Sequence, residues 1–321
     1  MICLGIESTA HTFGVGICKG KTILSDKRAV YKPPLGSGIH PKKAAQHHAA
    51  MALQTIEGAL SSAHLKLKDI DLIAFSQGPG LPPCLQVGLI AAKSLAEKGK
   101  KPLIGVNHCL AHVEIGKLIT GAHDPIVVYV SGGNTQILGY TDGRYRVFGE
   151  TEDIALGNAL DSFARKIGLP HPGGPVIEKM AKSGKKYIKL PYVVKGMDLS
   201  FSGIVTAAVR EYSQKGQLVS NLCFSIQETC FAMLTEVTER ALAHTGKKEV
   251  LVTGGVAASG RLKQMLRIMC KERGAKLYFV PKKYSGDNGV MIALTGLLVY
   301  KHGIKPLKGT IKIKQKWRID E

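Results

Sequence analysis

Several residue types and patterns are scarce in this 321-residue chain, and each scarcity excludes something. Acidic residues number only 24 against 44 Lys and Arg, a formal charge of +20, which argues against a partner that is itself basic and for a polyanion. None of the seven cysteines forms a C-x-x-C pair, and most sit in apolar runs. They read as buried thiols of a reducing compartment, not as a disulfide framework or a zinc ribbon. No basic stretch followed by an apolar one opens the sequence, so no signal peptide is expected. The apolar run "VMIALTGLLVY" (290–300) is too short to span a bilayer, so it reads as a buried helix and no membrane role is expected. There is no H-E-x-x-H, no Walker P-loop and no G-x-G-x-x-G.

What is present is a repeated order of elements. "MICLGIES", "TFGVGICK" and "KTILSDKRAV" read as a three-stranded meander, and "DPIVVYVSGG", "TQILGYT" and "RYRVFGE" read as another, turned through Asp142-Gly143. Helical stretches around 42–64 and 222–244 lead to buried strands that end in glycine turns, "IDLIAFSQGPG" (70–80) and "KEVLVTGGVAASG" (248–260). Helices over 84–98 and 260–273 follow, then strands "KPLIGVN" (101–107) and "AKLYFVPK" (275–282), then helices near 108–120 and 287–302. Both halves therefore read β-β-β-α-β-α-β-α, an α/β fold of duplicated lobes, 1–124 and 125–321, with a central cleft; two unrelated Rossmann-like domains are the alternative. The last helix is allowed to pack back toward the first lobe.

The chemistry-bearing residues cluster at strand ends. "VSGGNTQ" (130–136) and "VTGGVAASG" (252–260) are Gly-Gly turns whose backbone N–H groups can approach phosphate oxygens; tight turns without a ligand are the alternative. Asp161 and Glu178 flank Gly173-Gly174-Pro175, an arrangement that suits ribose hydroxyls or, equally, helix capping. In "VNHCLAHVE" (106–114), His108 and His112 open a helix four residues apart and share one face. Asp287 occupies the corresponding strand-to-helix junction of the second half. Two histidines and one carboxylate suit Fe(II) or zinc, and ordinary satisfied histidines are the alternative. Lysines crowd "KSGKKYIKLPYVVKG" (182–196), "PKKY" (281–284) and "KHGIKPLKGTIKIKQKWR" (301–318).

Read in order, "GIESTAHTFGVGI", "SQGPGLPPCLQVG", "VNHCLAHVE", "VYVSGGNTQ", "GNALDSFARKIGLPHPGGPVIEKMA", "LSFSGI", "VTGGVAAS", "YSGDNGVMIA" and "WRIDE" resemble the archaeal and eukaryotic branch of the tRNA N6-adenosine threonylcarbamoyltransferase family. That is the catalytic subunit of the KEOPS complex, with an actin-like ATPase (ASKHA, ribonuclease H-like) fold. The resemblance implies transfer of threonylcarbamoyl from threonylcarbamoyl adenylate to N6 of the adenosine 3′ of the anticodon in ANN-reading tRNAs, with release of AMP. It implies one iron ion per subunit, with zinc the alternative, held by His108, His112, Tyr129 and Asp287, of which His108, His112 and Asp287 are the expected catalytic residues. It implies ATP or threonylcarbamoyl adenylate as the nucleotide, with Mg accompanying ATP. The nucleotide contacts would be Ser131, Gly132 and Gly133 at the phosphate, Asp161, Gly174 and Glu178 at the ribose, and Gly254, Gly255 and Ser259 at the base. The implied partners are tRNA, a small protein kinase, a small dimerising subunit and an accessory subunit, in the cytoplasm; no fused kinase domain is expected after "WRIDE". Two positions depart from the usual pattern: Ser259 stands where the family has Asn, and Ser8 where it has Gly. Competing readings are a metallopeptidase, a small-molecule kinase of the same fold, and a non-catalytic nucleotide-binding scaffold.

Overall fold

The computed structural model describes residues 1–34 and 38–321. In chain order the elements are β1 (Ile2–Glu7), β2 (Thr12–Lys19), β3 (Thr22–Val30), α1 (Pro41–Ser62), β4 (Leu72–Gly78), α2 (Pro82–Gly99), β5 (Leu103–Asn107), α3 (His108–Thr120), β6 (Ile126–Val130), β7 (Thr135–Thr141) and β8 (Arg144–Glu150). They continue with α4 (Leu156–Lys166), α5 (Gly173–Ala181), the ribbon β9 (Val194–Lys195) and β10 (Asp198–Leu199), α6 (Ser202–Lys215), α7 (Val219–Thr245), β11 (Glu249–Thr253), α8 (Gly260–Glu272), β12 (Lys276–Phe279), α9 (Lys282–Ser285) and α10 (Gly289–Lys301). The chain forms two compact units, one of Met1–Leu118 with Gly286–Ile319 and one of Ile119–Ser285. The first and last turns of the elements follow their punctuation: α1 and α2 each begin on proline, while α7 ends where Gly246 takes a φ of 69°.

The two sheets share one topology. The first has the order β3-β2-β1-β4-β5 and the second, read from its other edge, β8-β7-β6-β11-β12. In each, a three-stranded antiparallel meander continues into two parallel strands. The repeated element order of the sequence is thus a repeated sheet. The second half has an insertion that the repeated element order leaves out: α4 and α5, which carry Asp161 and Glu178 as a helix-loop-helix, then the β9–β10 ribbon and α6, stand between β8 and α7.

In the first unit, α10 packs directly on β1, β2 and β4. The packing is backbone on backbone. A Cβ on Gly5 would lie 2.1 Å from Ala293 N, one on Gly16 2.2 Å from Val290 N, one on Gly14 2.9 Å from Gly289 N, and one on Gly289 2.1 Å from Gly16 N. Glycines on both surfaces let the predominantly apolar helix sink onto the sheet, where Val290 to Leu294 are buried. Segment 307–318 lies on the same unit. Leu307 N–H donates to Leu103 O (2.8 Å), Lys314 N–H to Gln77 O (2.8 Å) and Gln77 Nε2 to Lys312 O (2.7 Å). Leu307, Ile311 and Ile313 pack into the core while Lys312, Lys314 and Lys316 point outward. Among the described residues no helix is long and apolar enough to cross a membrane, and all seven cysteines are free and buried.

Ser8 is absorbed by packing. Its hydroxyl is buried without a hydrogen-bond partner, 1.9 Å from where a Cβ on Gly88 of α2 would stand.

Two tests follow from this packing. Gly16→Ala should cost about 3 kcal/mol or more in urea unfolding, because the added methyl meets backbone that has no rotamer to move away. Gly88→Ala should destabilise the native chain by about 1–3 kcal/mol, through the same overpacking. In a Ser8→Gly background it should instead be neutral or stabilising, since helix interiors prefer alanine by about 1 kcal/mol. Additive effects of the two changes would contradict the contact.

Candidate functional site

The first unit gathers the histidine pair and Asp287. His108 is the first residue of α3, and Asn107 holds that turn: its Oδ1 accepts from the N–H groups of Cys109 (2.9 Å) and Leu110 (3.1 Å). The amide nitrogen of Asn107 donates to Arg318 O at 3.1 Å, tying segment 307–318 to the same turn. His108 and His112 stand on one face, ring centroids 4.7 Å apart and nearly perpendicular. Asp287 precedes α10, whose N-cap is Asn288, with Oδ1 accepting from Met291 N–H at 2.9 Å. The glycine seam sets Asp287 against α3. Its Oδ1 lies 3.4 Å from His112 Nε2 and 3.7 Å from His108 Nε2, and its Oδ2 lies 3.8 Å from His11 Nδ1.

Both histidines are almost fully buried, and ligand atoms from His108, His112 and Asp287 all lie within 4.8 Å of one another. A borderline nitrogen-and-oxygen donor set of this kind fits iron or zinc. Cys109, between the histidines, adds no thiolate, because burial pushes its thiol up to about 12. Behind His108 stands Glu7, fully buried, with Oε2 3.0 Å from His108 Nδ1. The sequence reading passed over Glu7, Thr9, His11 and Asn107. The signal available was a carboxylate closing an otherwise apolar strand at its carboxyl end, where α/β folds bind ligands.

The charges divide unequally. Burial opposes ionisation of His108, yet the carboxylates of Glu7 and Asp287 outweigh it and raise the ring from 6.5 to about 9. Burial dominates at His112 and lowers it. Burial also opposes ionisation of Asp287, but the hydrogen bond from His112 and the positive charge of His108 hold its carboxyl well below the usual carboxylate range.

The second unit holds the other predicted residues. Tyr129 is buried near the end of β6, and its hydroxyl accepts from Asn134 Nδ2 at 3.4 Å. In the turn that follows, Ser131 Oγ accepts from Asn134 N–H (3.0 Å), and the exposed Gly132 and Gly133 have open space where a Cβ would be. The turn of β11 lies beside it: Gly254, at φ +94°, would bring a Cβ within 2.2 Å of Val130 O. Ser131, Gly132, Gly133, Gly254 and Gly255 therefore share one end of the sheet. Asp161 and Glu178 have capping work. Asp161 Oδ1 accepts from Gly173 N–H at 2.7 Å at the start of α5, and Glu178 Oε1 from Gly260 N–H at 2.7 Å at the start of α8. Ser259 is the N-cap of α8, its Oγ accepting from Leu262 N–H. Gly174 follows Gly173 in the first turn of α5.

A family model described as tRNA N6-adenosine threonylcarbamoyltransferase matches residues 22–294. A protein of that name from Thermococcus kodakarensis is 55% identical over all of this chain and 98% of its own length. The chain belongs to the tRNA N6-adenosine threonylcarbamoyltransferase family. Family membership makes it a transferase of tRNA processing. A relative from Methanocaldococcus jannaschii, named a probable bifunctional tRNA threonylcarbamoyladenosine biosynthesis protein, is 53% identical over all of this chain and 59% of its own length. Among solved structures, HypF of T. kodakarensis superposes with a TM-score of 0.68 at 14% identity, covering 94% of this chain and 48% of that one. A ROK hexokinase from Thermus thermophilus superposes at 0.55 and 14% identity, covering 94% and 100%. These likenesses show the fold, which is the actin-like ATPase class that the family resemblance implies.

The ionisation pattern gives a pH test on metal-stripped protein. The folded value of His108, about 9, exceeds the 6.5 of an unfolded imidazole. The His108–Glu7 pair therefore stabilises the metal-free fold fully below about pH 6.5, and that stabilisation is lost as pH rises through about 9. Metal uptake has the opposite sign, since a ligand nitrogen must shed its proton first. Affinity for Co(II) should rise from pH 6.5 to 9, with proton release visible by calorimetry in buffers of different ionisation enthalpy. A flat affinity over that range would remove His108 from the ligand set.

Proposed function

We propose that this chain transfers the threonylcarbamoyl group of threonylcarbamoyl adenylate to N6 of the adenosine 3′ of the anticodon in ANN-reading tRNAs, releasing AMP. The observation that carries the reading is the His108–His112–Asp287 set, two buried imidazoles with a part-buried carboxylate, in a chain that matches a family member along its whole length. The reaction is acyl transfer from a mixed anhydride to an amine: the amine attacks the carbonyl carbon, the bond from that carbon to the phosphate oxygen breaks, and AMP departs with the electron pair.

The donor arrives activated, so the protein's task is to hold it and to stabilise developing negative charge. His108, His112 and Asp287 would hold an iron or zinc ion, the family resemblance adding Tyr129, and such an ion supplies Lewis-acid polarisation of a carbonyl or phosphate oxygen. The N–H groups of Gly132 and Gly133 and the hydroxyl of Ser131 bind the phosphate of the adenylate, or of ATP with Mg. Asp161, Gly174 and Glu178 serve the ribose, and Gly254, Gly255 and Ser259 the base. The outward lysines of segment 307–318 bind tRNA phosphates. With this reading go a cytoplasmic location and assembly with the small kinase, dimerising subunit and accessory subunit of KEOPS.

The test is mass spectrometry of nucleosides from an ANN-reading tRNA incubated with the protein, the partner subunits and a threonylcarbamoyl adenylate source. Threonylcarbamoyladenosine should appear with the native chain, fall to background with His112→Ala, and require tRNA binding that weakens steeply with salt. Full activity of a verified metal-free His112→Ala protein would overturn the role given to the metal set, and absence of product with the native chain would overturn the reaction.

A further inference from the structure

Glu7 closes β1, and none of its surface reaches solvent. A carboxylate taken wholly out of water persists only when both oxygens are engaged. Here the engagement is divided. Oε1 accepts from Thr9 N–H at 2.7 Å and from Thr9 Oγ1 at 2.5 Å. Oε2 lies 3.0 Å from His108 Nδ1, the nearer of that nitrogen's two partners, with Thr9 Oγ1 at 3.4 Å. An imidazole offers one nitrogen to a cation, and the partner of the other nitrogen decides which one. With Nδ1 committed to Glu7, the nitrogen left is Nε2, the atom that approaches Asp287 Oδ1, on which His112 Nε2 also converges.

We infer that Glu7, braced by Thr9, is the positioning residue of the metal centre: it holds the Nδ1 proton of His108, fixes the ring's tautomer and plane, and leaves Nε2 as the ligand atom. The inference rests on the reading that His108, His112 and Asp287 bind a divalent cation. Charge supports it independently of hydrogen-bond geometry. Two carboxylates and two neutral imidazoles around a divalent ion sum to zero, whereas the same buried site without Glu7 carries one uncompensated positive charge, which a low-dielectric interior penalises. The ring is thereby held at two points, its Nδ1 by Glu7 and its backbone by the Asn107 cap on the first turn of α3.

The experiment is titration of metal-stripped protein with Co(II), followed by the visible ligand-field absorption of the bound ion, for the native chain, Glu7→Gln and Thr9→Val. Glu7→Gln keeps the shape and removes the charge. It should bind Co(II) about 10- to 100-fold more weakly, the usual effect of losing such an outer partner. Its metal-free far-UV circular dichroism should stay native. Thr9→Val removes one of two donors to Oε1, and with it the hydroxyl 3.4 Å from His108 Nδ1, so the brace on both members of the pair is lost and binding should weaken several-fold; it decides the matter if Glu7→Gln does not fold. Native Co(II) affinity in both variants would overturn the inference and leave Glu7 a structural acid. A native chain that binds no Co(II) would overturn the metal reading and the inference with it. A native chain that binds Co(II) but leaves tRNA unmodified would overturn the proposed reaction alone, and the positioning role would still be decided by the variants' affinities.

Discussion

Backbone-to-backbone contact between β1, β2 and α10 is the constraint on which the His108–His112–Asp287 cluster depends. Side chains between a helix and a sheet normally hold the two backbones apart. At Gly5, Gly14, Gly16 and Gly289 there are none, and the helix backbone rests on the strand backbone. Because Gly14 pairs with Glu7 across β1 and β2 and lies against Gly289, the start of α10 is fixed at the strand end that carries Glu7. Asp287, two residues earlier, is then delivered to His108 and His112, residues remote from it in sequence. A larger residue anywhere along this seam would move a carboxylate by ångströms, and the ligand set tolerates far less.

Burial then decides what the delivered groups can do. Glu7, His108, His112 and Asp287 bring two carboxylates and two imidazoles together, all buried except Asp287, which is partly exposed. Two negative charges there require a compensating positive charge. In the metal-free protein His108 supplies it, which is why its ring is held near 9 while His112 is driven the other way. A divalent ion held there, as proposed above, would neutralise both carboxylates and accept lone pairs from both rings. Proton and metal thus compete for the same nitrogen, and the acidic residues fix the charge of whatever occupies the site.

What the sequence made legible was local. Alternating apolar residues, glycine turns at strand ends and prolines at helix starts specify each element from its own neighbourhood, so both sheets and the helices around 42–64, 84–98 and 108–120 could be read directly. His108 and His112 were legible for the same reason, being four residues apart on one helix. Glu7 was not, because its importance comes from His108 at the start of α3 and from α10, which reach the end of β1 only after folding. The capping duties of Asp161 and Glu178 were half legible. A carboxylate near a helix start can cap, but the helix that Glu178 caps is α8, far along the chain. Of the insertion between β8 and α7, the helices that carry Asp161 and Glu178 were legible, while the β9–β10 ribbon and α6 escaped because they match no element of the first repeat.

The two departures from the family pattern show the same division between local and distant causes. An N-cap requires only an acceptor oxygen in reach of the first turn, and serine and asparagine supply it about equally well. Ser259 keeps that oxygen on Leu262 N–H, so α8 starts where an asparagine would start it. Ser8 follows Glu7, yet its hydroxyl is turned into the space left by Gly88 of α2. The glycine that admits it is distant in sequence and adjacent in the fold. Both changes are therefore met by packing and capping. Neither serine moves a side chain of the His108–His112–Asp287 cluster.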